Sequence, residues 1–111
     1  MMTLNDVQAT LDNVQAPYGH RLCLTVEWRR GQWRADVTNI ANEQVVGPTW
    51  SADGTDPVNA ARKAARIALL RAPYERWPYK SGYYYFETVP ADPAIARAAR
   101  LAAAKMRVGP P

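Results

Sequence analysis

Residues 21–38 alternate in a way that only paired, extended chain can use. Leu22, Leu24, Val26 and Trp28 interleave with Cys23, Thr25, Glu27 and Arg29. After Arg30-Gly31, Trp33, Ala35 and Val37 interleave with Arg34, Asp36 and Thr38. A strand sends successive side chains to opposite faces, so this period marks two half-buried strands. A two-residue turn at Arg30-Gly31 pairs Trp28 with Trp33, Val26 with Ala35 and Leu24 with Val37. The same register sets Glu27 opposite Arg34. Apolar then meets apolar on one face and opposite charges meet on the other. A slip of one residue would send every apolar side chain to water. Arg-Gly is not the strongest turn pair, so a slightly longer loop also fits.

The flanking segments follow from caps and periodicity. Thr3 to Ala16 reads as a helix with Thr3 as N-cap and Leu4, Val7, Leu11 and Val14 on one face, stopped by Pro17-Tyr18-Gly19. A loop at Asn39 to Glu43 leads to a third strand at about Gln44 to Trp50. Gly47-Pro48 inside it implies a bulge or an edge position, and Ser51 to Thr55 reads as a polar loop. Asp56-Pro57 is an N-cap followed by a proline in the first turn, and predicts a helix to about Arg71. Its projection puts Val58, Ala61, Ala64, Ala65, Ala68 and Leu69 on one face, and Asn59, Arg62, Lys63 and Arg66 on another that points away from the sheet. The aromatic stretch 73–91 holds prolines at its start and a strand-like run, Tyr83 to Val89. Asp92-Pro93 repeats the helix-start signal. The last helix runs to about Arg107, with an apolar stripe of Ile95, Ala98, Ala102 and Met106 and a basic stripe of Arg97, Arg100 and Arg107.

These elements predict one α+β domain over residues 1–111, in the order α-β-β-β-α-(β)-α. Residues 3–72 form its core, 73–91 an aromatic strand or loop, and 92–108 the C-terminal helix. A three-stranded antiparallel sheet, open to a fourth strand near Tyr83 to Val89, carries helices on one face. The last helix packs on the helix layer or on the open face. The chain has 111 residues, 48% hydrophobic and 22% charged, which suits one packed core. No apolar run reaches the ~20 residues of a membrane span. Met1 to Gln15 is polar and carries Asp6 and Asp12, unlike a signal peptide, so a cytoplasmic protein without membrane contact is expected.

The chemistry of catalysis is sparse. There is one cysteine, Cys23, and one histidine, His20. That excludes an internal disulfide and a multi-cysteine zinc site. No Gly-rich phosphate loop, nucleophile motif or metal-ligand spacing is present. Asp53 and Asp56 are close in sequence, but Asp56 serves as a cap. The expectation is no enzyme, no metal and no cofactor.

Charge points to binding instead. Residues 1–54 hold four basic and six acidic side chains, whereas residues 55–111 hold ten basic and four acidic. A half-chain at +6 suits an anionic partner. The candidates for phosphate contact are Arg62, Lys63 and Arg66 on one helix, Arg97 and Arg100 on the other, and Arg76 and Lys80 in the aromatic stretch. Trp77, Tyr79 and Tyr84 are the candidates for stacking on bases or anchoring an interface. Nucleic acid is the first expected partner. The other reading is a protein-interaction module: a virion component, an inhibitor of a host protein, or a homo-oligomer through the aromatic strand. A third is sequestration of a small nucleotide between arginines and tyrosines.

Two resemblances bear on these readings. The order helix, three strands, helix over residues 3–71, with Ala61-Arg62-Lys63-Ala64-Ala65 on the second helix, resembles the double-stranded RNA-binding domain. That resemblance implies that Arg62, Lys63 and Arg66 face phosphates. The chain departs from it in two places. The family's lysine pair at the helix start falls on Val58 and Asn59, and its Gly-Pro-x-His loop is replaced by Arg30-Gly31. Thr49-Trp50-Ser51 running through Asp56-Pro57 into an alanine-rich helix is similar to small bacteriophage orphan proteins of the alpha-beta-alpha sandwich kind. It implies a phage or prophage accessory factor acting in the host cytoplasm.

Overall fold

Where Arg30 and Gly31 take φ of 52° and 85°, the chain reverses in two residues. Positive φ at both central positions is the turn that matches the twist of paired strands. This computed structural model describes residues 1–14, 21–41, 43–76, 79–80, 83–84, 87–88 and 92–108. Strand β1 (Arg21–Arg29) pairs antiparallel with β2 (Gln32–Ala41) in the register set by the alternation, Trp28 with Trp33, Val26 with Ala35, Leu24 with Val37 and Glu27 with Arg34. The ion pairs run along the strands, however. Arg34 Nε donates to Asp36 at 3.3 Å and Arg29 lies 3.8 Å from Glu27. Asp36 also accepts from the Ser51 hydroxyl on the next strand.

Strand β3 (Gln44–Gly54) pairs with β2, so the order is β1-β2-β3 with β3 at an edge. Its register shifts between the Thr38 and Ile40 pairs, where Gly47-Pro48 supplies the extra chain. Both the bulge and the edge position anticipated there are present. β3 continues through Ser51–Gly54, which the sequence suggests is loop. Ser51 and Asp53 lie opposite Asp36 and Arg34 on the solvent face, where a strand accepts polar side chains.

Helix α1 (Leu4–Asp12) is shorter than its periodicity predicts and ends at the C-cap Asn13. Pro17-Tyr18-Gly19 and His20 lie outside the described residues. Thr3 and Asp6 form a capping box. The Thr3 N–H donates to the Asp6 carboxylate at 2.8 Å and the Asp6 N–H donates to the Thr3 hydroxyl at 3.2 Å. Gln8 ties α1 to the sheet by presenting its amide as a strand would. It donates to the Leu22 carbonyl at 2.9 Å and accepts from the Leu24 N–H at 2.8 Å, which covers part of the free edge of β1.

The bond from the Thr3 N–H, with help from the Thr3 hydroxyl, holds the Asp6 carboxyl below its ordinary value. A depressed carboxyl stabilises the fold above the unfolded pKa, and the contribution is lost as pH falls through the folded value. Urea midpoints followed from pH 6 to pH 3 are therefore expected to fall more steeply for the wild type than for Asp6→Asn below about pH 4. Parallel curves would remove the capping box from the stability of α1.

Helix α2 (Pro57–Arg71) has Asp56 as its N-cap, whose side chain accepts from the Asn59 N–H at 2.8 Å, and Pro57 in its first turn. It lies across all three strands, with α1 beside it. Ala60, Ala61, Ala64, Ala65 and Ala68 are all fully buried, so helix and sheet approach closely. Ala60 joins the face read from the sequence, while Val58 is only half-buried. Val7, Leu11, Val14, Leu22, Ala35, Val37, Trp50 and Leu69 complete the core between the layers. The other face of the sheet is polar.

After a 3₁₀ turn at Ala72–Tyr74, the chain forms two short ladders. Strand β4 (Glu75–Arg76) pairs with β7 (Glu87–Thr88), and β5 (Tyr79–Lys80) pairs with β6 (Tyr83–Tyr84). Of the run Tyr83 to Val89, the described residues Tyr83–Tyr84 and Glu87–Thr88 belong to these ladders and not to the main sheet. Its nearest antiparallel partner in sequence, residues 75–80, takes the pairing first. Helix α3 (Pro93–Lys105) packs on α2, in the helix layer. Its buried face is Ala96, Ala99, Ala103 and Met106, with Ala98 exposed, so it is rotated from the stripe Ile95-Ala98-Ala102-Met106. The shift lets three alanines meet α2 and leaves Leu101 60% exposed.

Candidate nucleic-acid interface

Close approach at one residue organises the end of the molecule where the cations gather. A Cβ on Gly54 would lie 2.5 Å from the Ala60 backbone nitrogen. With no side chain there, the end of β3 lies against the first turns of α2. Lys63, two turns on from Asp56, then reaches back so that its Nζ donates to the Asp53 carbonyl at 3.5 Å. Two recesses meet at Lys63. One, of about 530 Å³, is lined by Trp28, Gly31, Gln32, Asp53, Gly54 and Thr55. The other, of about 430 Å³, is bounded by Ala52, Lys63, Arg66, Ile67, Arg107 and Val108.

The second recess is positively charged. Lys63, Arg66 and Arg107 line it, and among the described residues no carboxylate does. Arg66 is half-buried, its Nε is buried, and it has no hydrogen-bond or ion-pair partner among the described residues. A partly desolvated cation without a counter-charge raises the free energy of the fold unless an anion answers it. The predicted face of Arg62, Lys63 and Arg66 therefore does not simply point into water. The end of α3 lies along it.

Arg62 shows this most directly. Its Nη2 donates to the Arg107 carbonyl at 2.6 Å and the Lys105 carbonyl at 3.3 Å. Those carbonyls belong to the last turn of α3 and its exit, where backbone acceptors are left over and a cation is favoured. Arg62 is thus committed to holding α3 on α2. Removing a charged hydrogen bond of this kind costs about 1–2 kcal/mol once partial exposure is allowed for. Arg62→Gln is expected to lower the urea midpoint accordingly. An unchanged midpoint would mean that the contact with α3 contributes nothing.

The remaining predicted residues are spread more widely. Arg97 and Arg100 are exposed on the outer side of α3, and Arg107 follows on the same flank. Arg76, Tyr79, Lys80 and Tyr84 belong to the short strands β4, β5 and β6. Trp77 lies outside the described residues. Two members of the site are absent from the sequence-based set. Arg107, which the sequence puts on the basic stripe of the last helix but not among the phosphate contacts, follows the end of α3 at Lys105. Trp28 alternates with the core face, yet it is 60% exposed on the edge strand β1 beside the hairpin turn. Its position beside the turn is the signal that would have found it.

Among the described residues, no three of His, Cys, Asp and Glu come together as metal ligands. Nor is any helix among them long and apolar enough to cross a membrane. No protein family, curated protein or solved structure matches the chain.

Proposed function

We propose that the chain is a non-enzymatic nucleic-acid-binding module whose phosphate contacts come from Lys63, Arg66 and Arg107. The observation that carries this reading is the half-buried Arg66, whose Nε is buried without a partner, in a recess it shares with Lys63 and Arg107 and, among the described residues, with no carboxylate. Arg97 and Arg100, on the flank of α3 that continues to Arg107, extend the positive surface. The reading moves the centre of binding away from Arg62, which is spent on α3. A small module of this kind suits an accessory factor of a bacteriophage or prophage.

Fluorescence anisotropy tests it with labelled single-stranded and duplex RNA and DNA at two salt concentrations. Binding is expected to weaken with salt, because each neutralised phosphate releases counterions. The variant Lys63→Gln/Arg66→Gln/Arg107→Gln should lose about 2–3 units from the salt slope, roughly one per phosphate contact. No binding at low salt, or a triple variant that binds as the wild type does, would overturn the proposal.

A further inference from the structure

We infer that the recess under Trp28 takes one base of a single strand, while the neighbouring cations hold the adjoining phosphates. This rests on the nucleic-acid reading and specifies the form of nucleic acid. Trp28 and Trp33 sit edge to face, with ring centroids 5.3 Å apart and planes at 71°. The half-buried Trp33 thereby steadies an indole that remains 60% exposed at the hairpin tip. Such a ring, held in place but open, is a stacking platform, and only an unpaired strand offers it a free base face. The volume of about 530 Å³ falls within the range of small-ligand recesses.

The charges on the two sides differ, and the difference orients the ligand. Lys63 and Asp53 both border the Trp28 recess, whereas three cations and, among the described residues, no carboxylate border the other. A phosphate is therefore drawn to the second, and the first, with Trp28 at its edge, is left to the base. The amide of Gln32 and the hydroxyl of Thr55 offer donors and acceptors to a base edge. Lys63 belongs to both recesses, so base and backbone sites are contiguous.

The test compares single-stranded and duplex oligonucleotides of equal length, with wild type, Trp28→Ala, Trp28→Phe and Lys63→Gln. Circular dichroism checks that each variant is folded, which the exposure of Trp28 at a turn favours. The wild type is expected to bind single strands more tightly than duplex. Trp28→Ala should weaken single-strand binding about 5- to 150-fold, the effect of losing one stacked base, with the salt slope unchanged. Trp28→Phe should recover most of that affinity, while Lys63→Gln should lower the slope. Duplex binding that equals or exceeds single-strand binding, or Trp28→Ala that binds as the wild type does, overturns this inference and leaves the nucleic-acid reading in place. A mononucleotide that binds as tightly as the oligonucleotide overturns it in favour of a free nucleotide. Failure of every nucleic acid to bind overturns both.

Discussion

Gly54→Ala is expected to destabilise the protein by about 3 kcal/mol or more, near the top of the range for overpacking. The added methyl would meet the Ala60 backbone nitrogen at 2.5 Å and its Cα at 2.9 Å. Neither atom can swing aside as a side-chain tip could, so β3 and α2 must separate as a whole. Every alanine on the buried face of α2 then loses contact with the sheet. Gly31→Ala is the control. Gly31 has φ of 85° and open space around it, so its substitution costs only the strain of the left-handed backbone, about 1 kcal/mol. Urea denaturation of both variants decides the matter. A Gly54→Ala midpoint no lower than that of Gly31→Ala would show that the sheet–helix contact is soft. The same variant should weaken ligand binding when folded, because Lys63 is placed beside Asp53 by this approach.

The hairpin was legible in the sequence because two independent patterns demanded one register: apolar residues on one face, and Glu27 opposite Arg34 on the other. The start of α2 was legible because Asp56-Pro57 combines a side-chain cap with a residue that needs no N–H donor. The rotation of α3 was not. Alanines occupy positions 94, 96, 98, 99, 102, 103 and 104, so almost any face of that helix reads as small and apolar. Packing against α2 made the choice. Arg62 was illegible for a related reason. A basic residue on a helix surface reads as solvated, and its use as a clamp depends on another helix ending beside it. Trp28 was misplaced because alternation reports the face of a strand and says nothing of what covers that face. The candidate site was thus half legible: charge periodicity marked Lys63, Arg66 and the basic stripe that holds Arg107, while the meeting of Arg107 with α2 and the exposure of Trp28 came from tertiary placement.

The alanine-rich layer that obscured α3 also sets the second large effect, at Leu69. Leu69→Ala is expected to cost about 3–5 kcal/mol, the upper part of the range for such truncations. Leu69 is fully buried and is among the largest buried side chains of the core. It shares its face of α2 with Ala61, Ala64, Ala65 and Ala68, which are equally buried. The cost of a truncation depends on how far the surroundings can collapse into the space. Alanines have no rotamers with which to fill a hole, and helix and sheet are already in close contact where Gly54 meets Ala60 at the start of α2. The cavity should therefore persist. Leu70, the next residue, turns outward and is 39% exposed. Leu70→Ala should cost no more than about 1 kcal/mol, as surface changes do. The pair isolates burial from helix propensity, since both replace leucine by alanine in the same helix. Equal midpoints for the two variants would show that the layer relaxes, and would undo the argument that close packing of small residues holds α2 to the sheet.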